Sequence, residues 1–169
     1  MDLNKGLLVK QDVEKTSNMT LSFRVNGQEH QVQVNATDRL VDILREKVYL
    51  TGTKVSCGIG RCGACSVFLD GELVNACLVM AYQVNGKSIL TIEGISDAGI
   101  SEIQEAFLKE GGFQCGYCTS GMIMAVKRLV ETIPDPTEED IKESLSGNIC
   151  RCTGYGGIIR AVQCLAKKH

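Results

Sequence analysis

Nine cysteines in 169 residues constrain this chain more than any other feature. Eight fall into compact groups and one, Cys164, stands apart. An odd number fits a disulfide scaffold poorly. The opening, Met1-Asp2-Leu3-Asn4-Lys5, lacks the basic run, apolar core and small-residue cleavage site of a secretory signal, so a reducing, cytoplasmic setting is expected. Clustered thiols in such a setting point to metal binding.

Composition excludes other classes. A formal charge of −2 gives no basic footprint for nucleic acid; Lys127-Arg128 and Lys167-Lys168 read as solvated helix residues. The four Phe and four Tyr, with no Trp, are too scattered for base-stacking platforms. No stretch approaches the roughly 20 apolar residues of a membrane span.

Periodicity divides the chain in two. Residues 1–18 mix three acidic and three basic side chains with little pattern and read as a flexible leader. Leu21, Phe23 and Val25 then alternate, Asn26-Gly27 signals a hairpin, and Val32 and Val34 continue the period of two. A helix is expected from an N-cap at Thr37, with Leu40, Ile43, Leu44 and Val48 on its apolar stripe. A cysteine loop over 57–65 follows, then a strand with Val67 and Leu69, a turn at Asp70-Gly71, a return through Leu73 to Cys77, and a strand over 88–92. This is an α+β unit over 19–95.

From 96 to 169 the spacing is helical. Ile100, Ile103 and Phe107 mark one helix, and Met122, Val126, Leu129 and Ile133 a second, stopped by Pro134-Asp135-Pro136. Thr137 opens a third, with Asp140 completing a box-like cap, Ile141 and Leu145 inward, and Gly147 as the C′ residue. A fourth runs over 157–166, with Ile158, Ala161, Val162 and Leu165 inward. Four short helices predict a small bundle.

The first quartet is Cys57, Cys62, Cys65 and Cys77. Four intervening residues, then two, then a distant ligand is the plant-type 2Fe-2S ferredoxin spacing. Such a core needs four thiolates directed inward, and Gly58, Gly60 and Gly63 allow the chain to wrap it closely. The competing reading is structural zinc, whose ligands more often come as two close couples. The second quartet is Cys115, Cys118, Cys150 and Cys152, in two inter-helix turns that a bundle can bring together at one end. Cys115-Gly116-Tyr117-Cys118 alternatively reads as a dithiol redox motif, which leaves Cys150 and Cys152 unexplained. Cys164 reads as a small buried hydrophobe. His30 and His169 lack any arrangement that suggests catalysis. Two bound clusters would take the formal charge from −2 to about −6. Arg61 and Arg151, each beside a cysteine, either tune that field or face solvent.

Three segments carry a resemblance: Cys57-Gly-Ile-Gly-Arg-Cys62-Gly-Ala-Cys65, Gln114-Cys115-Gly-Tyr-Cys118, and Gly147-Asn-Ile-Cys150-Arg-Cys152-Thr-Gly-Tyr. From residue 19 onward the chain resembles the small iron–sulfur subunit of molybdenum hydroxylases, which include xanthine dehydrogenase, aldehyde oxidoreductase and carbon monoxide dehydrogenase. The resemblance implies a β-grasp ferredoxin domain followed by a four-helix 2Fe-2S domain. It implies two 2Fe-2S clusters and no catalytic residue, in an EC 1 oxidoreductase whose large partner holds molybdopterin and whose medium partner holds FAD. The cluster of Cys115, Cys118, Cys150 and Cys152 would lie nearer molybdenum, and that of Cys57, Cys62, Cys65 and Cys77 nearer FAD. Gln114 matches a family residue that approaches the pterin; otherwise it is a polar helix-start residue. The chain departs from the family in having Ser120 after Thr119, where proline is common, and in its longer leader. A xanthine or purine complex is the first expectation. Alternatives are another molybdenum hydroxylase (aromatic heterocycle, aldehyde, carbon monoxide or aromatic acyl-CoA), a free-standing ferredoxin, and a structural zinc module.

Overall fold

The computed structural model describes residues 18–95 and 99–166. The first 17 residues of the expected leader lie outside these, as do Lys167, Lys168 and His169.

Alternation of apolar side chains makes the first hairpin. β1 (Asn18–Val25) and β2 (Gln28–Asn35) pair antiparallel, Asn18 opposite Asn35 and Val25 opposite Gln28. The turn Asn26-Gly27 has φ of 50° and 82°, the left-handed pair that a two-residue hairpin needs to match strand twist. β3 (Ser66–Leu69), β4 (Glu72–Asn75) and β5 (Ser88–Leu90) complete a five-stranded mixed sheet in the order β2-β1-β5-β3-β4, with β1 and β5 parallel. Helix α1 (Leu40–Glu46) buries Leu40, Val41, Ile43 and Leu44 in a core with Leu21, Phe23, Val25, Val67 and Ile89.

Helix α1 starts later than Thr37. Asp38 accepts the Asn35 N–H at 2.8 Å, which keeps 35–38 in a turn. The first helical N–H groups are satisfied from a distance instead. Leu40 donates to Val79 O at 2.8 Å and Val41 to Ala76 O at 3.1 Å. This fulfils the need for partners at a helix start and stitches α1 to the segment that carries Cys77. The last expected strand is also shorter. Thr91 turns away from the sheet, its N–H donating to Asn26 Oδ1 at 2.9 Å, and a single turn α2 (Ile92–Ile95) follows.

The helical unit comprises α3 (Glu102–Glu110), α4 (Thr119–Thr132), α5 (Glu138–Leu145) and α6 (Gly156–Ala166). Their inward faces, including Phe107, Met122, Val126, Leu129, Ile141, Ile158 and Val162, form a second core. Thr137 and Asp140 make the expected capping box of α5; Gly147 follows the C-cap Ser146 without the left-handed backbone. Ser101 and Gln104 make a second box at α3. Ser101→Ala will lower stability by about 1 kcal/mol, measurable as a lower denaturation midpoint with unchanged slope.

Helix α4 also packs across β3 and β4. Gly121, buried near its start, permits this: a Cβ there would sit 2.0 Å from Gly63 O and 3.0 Å from Ala64 Cα. Farther along, Arg128 Nη2 pairs with Glu72 Oε2 at 2.9 Å.

Candidate metal centres

The loop over 57–65 is shaped by its backbone. Gly58, Gly60 and Gly63 have φ of 66°, 74° and 66°, a region costly for residues with a Cβ. Outer contacts brace it. Arg45 Nη1 donates to Thr51 O and Thr53 O, in the segment leading into the loop, at 2.8 and 2.9 Å, and Asn75 Nδ2 donates to Gly60 O within it at 3.1 Å. Inside the loop, N–H groups point at sulfur. Ile59 and Arg61 donate to Cys57 Sγ at 3.5 and 3.3 Å, and Gly60 donates to Cys77 Sγ at 3.2 Å.

These donors perturb the thiols. The Ile59 N–H, then those of Arg61 and Cys62 with the Cys62 side chain, bring Cys57 down to about 6 against the cost of desolvation. Burial pushes Cys65 up to about 12, and its neighbours Cys77 and Cys62 add to the rise. One quartet thus holds a half-buried, thiolate-favouring end at Cys57 and a buried one, with Cys65 and Cys77 inside.

The second quartet is assembled from the turn before α4 and the turn after α5. Cys115 and Cys152 are exposed, their sulfurs 3.7 Å apart. Behind them Cys118 and Cys150 face each other. Cys118 is raised to about 12, by burial first and then by Cys150. Cys150 is lowered: burial opposes this, but Thr153 Oγ1, donating to its sulfur at 3.1 Å, outweighs it together with nearby N–H groups. Tyr155, at φ 64°, locks the turn. Its hydroxyl accepts the Cys150 N–H and donates to Asn148 O, both at 2.9 Å.

Among the described residues no three His, Cys, Asp or Glu side chains gather around a point for a single ion. The thiols meet two by two instead: Cys57 with Cys62, Cys65 with Cys77, Cys115 with Cys152, and Cys118 with Cys150. Two pairs per site suit a core of two irons with four thiolate ligands, and the N–H groups aimed at sulfur suit its negative charge. No disulfide bond joins any of the nine cysteines.

Two family models match the two units: the 2Fe-2S iron-sulfur cluster binding domain over residues 23–87 and the [2Fe-2S] binding domain over residues 91–163. A probable xanthine dehydrogenase subunit from Bacillus subtilis is 60% identical over 137 residues, covering 81% of this chain and 79% of the relative. The chain belongs to the small iron–sulfur subunits of the molybdenum hydroxylases. The nicotine 6-hydroxylase small subunit of Paenarthrobacter nicotinovorans is 46% identical over 142 residues, covering 84% of this chain and 86% of the relative. Quinoline 2-oxidoreductase from Pseudomonas putida 86 superposes with a TM-score of 0.85 at 39% identity, covering 89% of this chain and 93% of that one. As a member of this family the small subunit is a non-catalytic electron-transfer component of an oxidoreductase. No helix among its described residues is long and apolar enough to cross a membrane.

The structure brings the thiols of each expected quartet together in space. Gln114 is exposed beside Cys115, and Arg61 and Arg151 are exposed on their loops. Cys164 is half-buried on α6. Spacing did not point to Asn148, Gly121 or Arg39. Asn148 is 5% exposed, and its amide donates to Gly63 O at 3.1 Å. Next to it, Ile149 N–H donates to Cys62 O at 2.9 Å. The signal that could have found such residues is closeness in the chain to a ligand, which Asn148 has through Cys150; Arg39 is far from every cysteine.

Proposed function

We propose that the chain relays electrons singly between a molybdopterin-bearing large subunit and an FAD-bearing medium subunit. In this reading Cys57, Cys62, Cys65 and Cys77 hold one 2Fe-2S cluster in the unit 19–95. Cys115, Cys118, Cys150 and Cys152 hold another in the unit 96–169. Each cluster, when bound, accepts and releases one electron.

The observation that carries this reading is the hydrogen bond from Ile149 N–H to Cys62 O at 2.9 Å. It joins the backbone of a ligand in one quartet to the residue before Cys150 in the other. The protein's own groups fix both sites against a common wall: Asn148 holds Gly63 O, Tyr155 holds the Cys150 turn, and Tyr117 Oη donates to Val55 O across the seam. Each site also has an outward side. Cys115, Cys152 and Gln114 are exposed on one, and we assign this side, with Gln114 as a pterin contact, to the large subunit. Ile59 and Leu78 are exposed beside the other quartet, which we assign to the FAD-bearing subunit. A cytoplasmic complex is in keeping with thiols that must stay reduced until they are loaded.

Xanthine or a related purine is the proposed substrate of the complex, supported by the 60% identity to a probable xanthine dehydrogenase subunit. Oxidation of another aromatic heterocycle is the second reading, supported by the nicotine and quinoline relatives. Isolation of the chain with its native partners tests both. About four iron and about four labile sulfide per chain are expected, with molybdenum and flavin in the same particle and turnover of xanthine. Turnover of nicotine or quinoline alone favours the second reading. Iron and sulfide without molybdenum or flavin would leave an independent ferredoxin, and zinc in place of iron would refute the relay.

A further inference from the structure

Arg39 lies far from any cysteine in sequence and next to the first quartet in space. Its backbone is anchored to the Cys77 segment, by a bridge to Met80 and by the Leu40 N–H on Val79 O at 2.8 Å. Its side chain reaches the other wall of the site. Nη1 lies 3.3 Å from where a Cβ on Gly58 would be, so the guanidinium rests on the glycine loop just after Cys57. Nε is held at 2.7 Å by Asp42 Oδ2, one turn into α1. Asp42, first, and more weakly the Cys77 and Cys65 thiols hold that guanidinium protonated above its ordinary range.

We propose that Arg39, aimed by Asp42, is a positioning charge that sets the reduction potential of the ferredoxin-domain cluster. The inference rests on the reading that Cys57, Cys62, Cys65 and Cys77 hold a 2Fe-2S cluster. One-electron reduction adds one negative charge and breaks no bond. A fixed cation nearby favours the reduced form, and a carboxylate beside that cation opposes it. Arg39 is only partly exposed, with 39% of its side chain in solvent, so bulk water screens it incompletely. Arg61, on the cysteine loop itself but exposed, contributes less by the same reasoning.

The test is a redox titration of the full chain in its complex, reduced by dithionite and followed by electron paramagnetic resonance, with iron counted in every sample. Arg39→Gln should make the ferredoxin-domain cluster harder to reduce, its reduction constant falling on the order of tenfold, which is about 59 mV for one electron. Asp42→Asn should shift the same midpoint upward, the double variant should return near the starting value, and Arg39→Lys should keep most of it. The second cluster should not move in any of them, and the shifts should shrink at high salt. A folded Arg39→Gln with full iron and an unmoved midpoint overturns the inference, as does an equal shift of both clusters. Should Arg39→Gln fail to fold, an Asp42→Asn midpoint that does not rise overturns it equally. Absence of iron from the unsubstituted complex would overturn the cluster reading itself.

Discussion

Exchange of Cys118 for serine will remove half of the iron, from about four to about two atoms per chain, with labile sulfide falling in step. Cys118 stands at the closed end of the second quartet, opposite Cys150, while Cys115 and Cys152 form the exposed end. The thiols that act on Cys118 are those of Cys150 and Cys115 in its own quartet, and serine is a poor replacement for a thiolate ligand. The proposed ligands of the ferredoxin-domain site lie on a different loop and core, so that site should keep its iron and its visible absorbance. Cys164→Ser is the matching control. It lies half-buried on α6 and should leave the iron count unchanged. A Cys118→Ser protein with full iron, or a Cys164→Ser protein that loses it, would refute the ligand assignment.

Gly121→Val is expected to have the largest effect on stability. The first side-chain carbon would fall 2.0 Å from Gly63 O and 3.0 Å from Ala64 Cα, and both obstacles are backbone that cannot rotate aside. Helix α4 would have to retreat from β3. That would strip Asn148 from Gly63 O and Ile149 from Cys62 O, leaving a buried amide and a backbone N–H without partners. Overpacking and lost pairing together should cost more than about 3 kcal/mol. The measurement is a denaturant titration, with proteolysis between the two units as a second readout. Ordinary stability in Gly121→Val would mean that α4 docks less tightly than its contacts indicate.

Much of this fold is legible in the sequence because it depends on neighbours in the chain. The hairpin follows from alternation and Asn26-Gly27, and the α5 cap from Thr137 and Asp140. Spacing also grouped the eight clustered cysteines into the two sets whose thiols the fold brings together. What spacing missed depends on distant partners. Thr37 has the right chemistry for a helix cap, yet α1 begins after Arg39 because Val79 and Ala76 supply the acceptors that a cap would otherwise replace. Thr91 ends β5 because its N–H goes to Asn26 across the sheet. Gly121 draws no attention in the sequence, and its purpose appears only when the Gly63 carbonyl is placed against it. Arg61 and Arg151 drew attention by adjacency, whereas Arg39 reaches the first quartet through the fold.

The seam formed by Asn148, Ile149, Gly121 and the 62–64 backbone also limits how the two halves can be recombined. A chimaera cut in the short link around residue 96 would respect both cores but sever the ownership of one wall: the acceptors belong to the first half and the donors to the second. Two relatives could exchange halves only if the incoming loop presented its carbonyls at the same height and angle. The two cysteine loops therefore work as a matched pair, and an insertion in either one would be felt by both.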